Sequence, residues 1–289
     1  MKRILCISLL ISLCSLTVLA QEAGNRNYNR NTQRPAPTTG NIGSNNELFI
    51  EAYVLLNVAP DEFVAVFGVA AEGPTAVESN QKVNTRIEEF LSAAGGLGIK
   101  RADTFIDFIT QNRVYNFSTT PSDSTIREVL TGFETKKTVA VRYKDRALLE
   151  RLVTAAAQSQ IFDLIKVDYI VNDMTRVRSR LFEEAIRVVK QKEETYARQL
   201  GLVMRRYNIY QETYDTRYPA ELYQTYTAYE AGAVESSYDS RTRVVRERKS
   251  STSYLELLDR SPFDAVLNPI GIEPVVQCTL FVRVKYNLA

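Results

Sequence analysis

Val276-Gln277-Cys278-Thr279-Leu280-Phe281-Val282-Arg283-Val284-Lys285-Tyr286 is the stretch on which the fold class turns. Val276, Cys278, Leu280, Val282, Val284 and Tyr286 share one face at a period of two residues, the spacing of a half-buried strand. Gln277, Thr279, Arg283 and Lys285 fall on the other face, and Phe281 is the one apolar exception. This alternation predicts a sheet strand with one largely solvated face, and it places Cys278 among core positions.

The same period recurs at the other end of the patterned chain. Leu48, Ile50, Ala52, Val54, Leu56 and Val58 line one face of a strand that Pro60-Asp61 breaks. Phe63 to Ala71 is apolar on both faces, which predicts a central strand covered on both sides. Gly73-Pro74 ends it. Thr75 and Glu78 then have capping-box spacing, and Val83, Ile87, Phe90 or Leu91, and Ala94 recur at helical spacing up to Gly95, Gly96 and Gly98. Two strands are expected at about Asp103–Asn116 and Ile126–Tyr143, joined as a hairpin across Pro121 and Ser122-Asp123-Ser124. Asp145 is the expected N-cap of a second helix with Leu148 or Leu149, Leu152 and Ala156 on its core face. A strand over Phe162–Val171 follows. A long helix capped by Asp173 is then expected to bury Phe182, Ile186, Val189, Tyr196 and Leu200 and to end at Gly201. Leu202–Gln211 reads as a further strand. The order, about seven strands with three helices packed on an antiparallel or mixed sheet, is that of an α+β protein. No period of 20–50 residues repeats along the chain.

The first residues predict a destination. Lys2 and Arg3 precede an apolar stretch from Ile4 to Val18, and Val18-Leu19-Ala20 supplies the cleavage pattern of a secretory signal cut after Ala20. The stretch is near the lower limit of about 17 residues for a spanning helix, so no transmembrane span is expected after cleavage. Leu13 before Cys14 does not suit a lipoprotein signal. Gln21 to Asn46, rich in Asn and Pro and nearly without large apolar side chains, is expected to be a disordered tether. A single domain over residues 47–289 follows.

Composition sets further bounds. At 45% hydrophobic and 24% charged residues the chain suits a globular domain. It contains no His, which excludes imidazole bases and most zinc, copper and haem sites. Of 36 basic and 34 acidic side chains, Lys2 and Arg3 leave with the signal, so the mature charge is formally zero. Nucleic acid, which requires a basic footprint, is not an expected partner. Only Cys278 remains after cleavage, so no intrachain disulfide is available.

In the order of these features, residues 47–213 together with 272–288 resemble the SIMPL-domain family, which includes bacterial periplasmic immunogenic proteins. The resemblance is carried by Pro60-Asp61, by Ala70-Ala71-Glu72, by Asn80 and Val83-Asn84 before the glycine-rich break at Gly98-Ile99, and by Tyr115. It continues through Thr131-Gly132-Phe133, Thr138-Val139-Ala140-Val141, Glu184-Ala185-Ile186, the helix end Ala197-Arg198-Gln199-Leu200-Gly201, and Ile272-Glu273-Pro274. Gly132-Phe133 stands where the family has a glycine-tyrosine pair, the long helix is less alanine-rich, and residues 214–271 are longer than that connection usually is. The resemblance implies an exported or envelope protein in the periplasm or outside the cell. It also implies oligomers in several members, a loose link to stress tolerance among bacterial members, and a signalling-adaptor role in a mammalian one. It carries over no catalytic residue and no cofactor.

Several groups are candidates for chemistry. Cys278 would be a redox thiol if exposed beside positive charge, and its strand position favours a buried one. Asp61, Glu62, Asp103 and Asp107 lie near strand ends, where a paired-carboxylate hydrolase or a calcium site competes with turn and edge roles. Gly95-Gly96-Leu97-Gly98 closes a helix, whereas a phosphate cradle opens one. Ser79 and Lys82 have Ser-x-x-Lys spacing inside an amphipathic helix, and a nucleophile also needs an oxyanion site. The expected insertion at about 214–271 carries Tyr214, Tyr218, Tyr223, Tyr226 and Tyr229, with Arg241 and Arg243 in a charged run. Tyr and Arg are the residues favoured at interface cores, so these seven are the candidate interaction surface; a self-packed excursion with a solvated hairpin edge is the other reading. Three functions are therefore set side by side: a non-enzymatic envelope protein that self-associates or binds an envelope protein or polymer, a small-molecule or polymer-binding module built on the tyrosines, and a hydrolase with a carboxylate site.

Overall fold

The computed structural model describes residues 46–120, 125–227, 251–269 and 273–289. The expected leader and, apart from Asn46, the expected tether lie outside them, as do Tyr229, Arg241 and Arg243. The elements run β1 (Glu47–Val58), β2 (Glu62–Gly73), α1 (Ala76–Gly96), β3 (Thr104–Thr120), β4 (Thr125–Tyr143), α2 (Leu148–Gln158), β5 (Asp163–Ile170) and α3 (Met174–Leu200). They continue with β6 (Met204–Arg217), α4 (Pro219–Leu222), β7 (Tyr223–Thr227), β8 (Ser251–Leu255), β9 (Ala265–Leu267) and β10 (Val276–Leu288). The class is α+β, with more strands than the sequence pattern predicts.

The strands form two four-stranded sheets where a single sheet was expected, in the orders β6-β10-β1-β9 and β3-β4-β2-β5. β7 and β8 make a separate two-stranded sheet, most of it in a small unit of its own. In the first sheet β10 pairs antiparallel with β1 from Glu47–Asn287 to Val58–Val276, so the last strand of the chain is central beside the first. The alternation read from the sequence is observed. Leu48, Ile50, Ala52, Val54 and Leu56 meet Val276, Cys278, Leu280, Val282, Val284 and Tyr286 in one core, closed by Val177, Leu181, Ala185, Val188 and Val189 of α3.

The second core lies between β2, β4 and the helices α1 and α2. It joins Phe63, Ala65, Phe67 and Val69 to Val83, Ile87, Phe90, Val139, Val141 and Leu152. Both helices lie on one face of this sheet. Val64 and Val66 on the opposite face are half-buried and Ala70 is exposed, so β2 is not covered on both sides as its pattern predicts. An antiparallel sheet tolerates one open face, and on this one Ile165 partly shields Gly68, where an added Cβ would stand 3.3 Å from the Ile165 side chain.

Local signals were accurate where capping geometry fixed them. The Thr75 hydroxyl accepts the Glu78 N–H at 3.2 Å, and the Asp173 carboxylate accepts the Arg176 N–H at 2.8 Å. Gly201 ends α3 at φ 65°, the left-handed conformation that glycine adopts without strain. Three expectations need correction. Gly95 and Gly96 complete the last turn of α1 and do not end it; the chain reverses at Leu97 and Gly98. Asp145, three residues before α2, accepts the Ala147 N–H, and the N-cap is Ala147, because a turn at Arg146-Ala147 intervenes. The buried stripe of α3 is Val177, Leu181, Ala185, Val188 and Val189; Phe182 and Ile186 flank it, and Leu200 is 65% exposed.

Candidate functional site

Several of the sequence candidates for chemistry are held by structural bonds. Ser79 is fully buried in α1; its Oγ lies 2.8 Å from the Thr135 hydroxyl and donates to the Ala76 carbonyl. Lys82 Nζ instead donates to the Glu72 carbonyl at 3.0 Å. The Ser-x-x-Lys pair thus serves the α1–sheet contact, and no substrate can reach the hydroxyl.

Three of the four carboxylates are likewise engaged. Arg142 on β4 bridges Asp103, at 2.5 Å, and Glu62, at 3.7 Å, and Lys144 adds a contact to Glu62 at 3.5 Å. Asp61 accepts the Asn172 N–H at 2.7 Å while its own N–H donates to the Ile170 carbonyl, which ties the β1–β2 turn to the end of β5. Asp107 is exposed on β3, away from these. Asp61 and Asp173 do share an open cleft of about 310 Å³, lined also by Leu56, Val171, Arg176 and Asn268. Both carboxylates there are occupied by backbone amides. Among the described residues no group of three or more Cys, Asp or Glu is placed to hold a metal ion.

Cys278 is 2% exposed in the first core. Burial pushes its thiol pKa up, partly offset by the Thr216 hydroxyl 4.0 Å from the sulfur. A thiol raised in this way is a poor nucleophile.

The candidate interaction tyrosines that are described belong to different elements. Tyr214 belongs to β6, half-buried against the first core with the Arg178 guanidinium 5.9 Å from its ring. Tyr218 and Tyr223 flank α4 and are 39% and 45% exposed. Tyr223 bonds to Tyr169, whose phenol burial pushes up to about 12, with Tyr223 adding to the shift. Tyr226 is exposed in β7, in the small unit.

What the sequence reading missed is an arm. β2 pairs with β4 only as far as Gly73–Phe133, but β3 and β4 continue as a two-stranded ribbon to Thr120–Thr125. Gly132 sits where the ribbon leaves the sheet; a Cβ there would stand 2.7 Å from the Gly73 carbonyl oxygen. Beyond it Tyr115 faces Leu130 and Phe117 faces Glu128 across the ribbon. Tyr115, Phe117, Ile126 and Leu130 are 45%, 76%, 64% and 46% exposed. The signal was present as alternation in two strands longer than their neighbour, but a period of two does not say which face finds cover.

The model of the SIMPL family, described as a protein of unknown function (DUF541), matches residues 52–252. The chain belongs to the SIMPL family. No curated relative matches it. The matched range runs from within β1 to within β8, so the second core lies inside it, whereas β10 and its half of the first core follow it. Among the described residues of this SIMPL protein no helix is long and apolar enough to cross a membrane.

Proposed function

We propose that the chain is an exported SIMPL protein of the cell envelope, periplasmic or secreted, that acts by surface contact, through self-association or partner binding, and not by bond-making. The observation that carries this is the exposed apolar arm on an otherwise well-packed framework. Four large apolar side chains in water on one short ribbon mark an interaction site, since monomers rarely leave such side chains together. The engagement of Ser79, Glu62, Asp103 and Asp61 in structural bonds supports the same reading. A role in stress tolerance would follow from such contacts in the envelope. The test is the mass of the processed protein, residues 21–289, by sedimentation across a concentration series. A multiple of the chain mass, or retention of an envelope component by the pure protein, is the expected result; a strict monomer that retains nothing overturns it.

A ligand-binding reading is favoured by one observation, the exposed rings of Tyr218 and Tyr223 on either side of α4. A thermal-shift screen against glycans and small aromatic ligands tests it. Loss of a positive shift in a Tyr218→Ala, Tyr223→Ala double variant would assign the site there.

A further inference from the structure

We infer that the β3–β4 arm is a self-complementary dimerisation surface, whose helix-side face stacks on the same face of a second copy, tips pointing in opposite directions, about a two-fold axis through the Tyr115–Leu130 pair. This deepens, and rests on, the reading of the chain as a self-associating protein.

A two-stranded ribbon is marginally stable alone in water and needs a further layer on an apolar face. Among the described residues no such layer covers the arm, because α1 begins at Ala76, beneath Gln111. Gln111 Nε2 donates to the Ala76 carbonyl at 3.0 Å and to the Thr135 hydroxyl at 3.1 Å, which fixes that side of β3 as the helix side. From there the register runs outward in rows of facing residues: Arg113 with Phe133, Tyr115 with Leu130, Phe117 with Glu128, and then Ile126. All these rows share the helix side, since β3 alternates without interruption from Gln111 to Phe117 and the extra residue, Thr131, is on β4.

Charge decides the occupant. The face carries one base, Arg113, and one acid, Glu128, both exposed. They stand two rows apart, about 14 Å along the ribbon at strand rise, too far to pair within one copy. Neither has an ion-pair partner among the described residues. A two-fold axis through the intervening Tyr115–Leu130 row places Arg113 of each copy over the Phe117–Glu128 row of the other. The same axis pairs both charges at once, puts each guanidinium beside a Phe117 ring, and stacks the apolar row on itself. Sliding the dyad by one row in either direction loses both ion pairs, so the register is specified. Ile126 then reaches the Gln111 row of the second copy, beside Val77 in the first turn of its α1, a residue left 65% exposed in the single chain. An isologous contact needs this kind of self-complementarity, and an apolar strip with one buried charge pair on each side provides it.

Charge exchange tests both occupant and register. The mature chain and the variants Arg113→Glu, Glu128→Arg and the double exchange are compared by sedimentation equilibrium, with far-UV circular dichroism melts to show that each is folded. The expected result is halved mass for each single variant and restored mass for the double exchange, because each single reversal opposes like charges twice. If the parent associates and the single variants keep its mass, or the double exchange fails to recover it, the arm is not the interface, although self-association stands. A monomeric parent removes both.

Discussion

The two four-stranded sheets of the main unit are alike on one side and unlike on the other. Each is covered on one face by helix over an apolar core, α3 on the first and α1 with α2 on the second. The outer face of the β1–β10 sheet is dressed by its own chain. Phe263 packs on Tyr53 at 4.3 Å between ring centroids, Phe281 approaches the same ring, and Arg283 lies over Phe49. A buried amide chain fastens the covering segment: the Leu258 N–H donates to Gln277, Gln277 to Asn57, and Asn57 to the Asn268 carbonyl. Among the described residues the β2–β4 sheet has no such cover, and the side chains along its hairpin are exposed. The difference locates where the described chain covers its own apolar surface and where it does not.

The largest test of this contrast uses one residue type in both settings. Phe67 is 1% exposed and Phe117 is 76% exposed. Phe67→Ala should cost about 3–5 kcal/mol in urea unfolding. Phe117→Ala, at concentrations where the chain is monomeric, should change stability by less than about 0.5 kcal/mol. A large loss for Phe117→Ala under those conditions would mean that the arm packs within its own copy, and the contrast would fail.

The amide chain is the next point of pressure. Asn57 is 1% exposed and bonds both Asn268 and Gln277. Asn57→Ala leaves buried polar groups without partners, each worth about 1–3 kcal/mol. The expected result is that loss in global stability, together with faster amide exchange at Leu258, whose N–H depends on Gln277 being held in place. If Leu258 exchange is unchanged, the segment is held by its rings and not by the amides.

Legibility in the sequence follows the same division between local and distant causes. The strand alternation at Val276–Tyr286, the Thr75 and Asp173 caps and the Gly201 terminus were readable because each depends on a few neighbouring residues. The partition into two sheets was not, since nothing in a period of two tells β1 to pair with a strand more than 200 residues away. The α3 stripe was misplaced by choosing the largest apolar residues: the helix instead turns Ala185, fully buried, toward the sheet, because a small side chain lets helix and strands approach. Of the candidate interaction residues, Tyr214 proved to be a strand residue, for β6 continues past Gln211 to Arg217. Phe117, just beyond the expected end of β3, was overlooked for the complementary reason that the strand outruns its sheet.

Two glycines sharpen the point at which the arm departs. At Gly132 an added Cβ would press on the Gly73 carbonyl at 2.7 Å, whereas at Gly95 nothing lies within 4 Å. Gly132→Ala should cost about 1–3 kcal/mol through forced backbone shifts. Gly95→Ala, in the last turn of α1, should stabilise by about 0.5–1 kcal/mol. Equal and small effects at both would show that the ribbon base has room to move, so that the direction of the arm is not fixed by the β2–α1 corner.

The smallest expected effect appears only at high pH, and it concerns the aromatic cluster at the end of the second core. Phe63 stacks on Tyr143 at 5.3 Å and meets Tyr169 at 5.4 Å; Tyr169 also packs against the first core. Burial pushes both phenols from the usual 10.0 up to about 12. Above pH 10 the unfolded chain therefore releases protons that the folded chain retains, so the unfolded state binds fewer and stability must fall as pH rises. The contribution is fully present below pH 10 and is lost progressively toward pH 12. Tyr143→Phe removes one titrating group, so the fall in urea midpoint between pH 10 and 11.5 should be shallower than in the parent, and Tyr169→Phe should act in the same direction. Parallel curves for parent and variants would show that these phenols ionise without unfolding, and the end of the β2–β4 sheet where the two cores meet would then be as open to water as its arm.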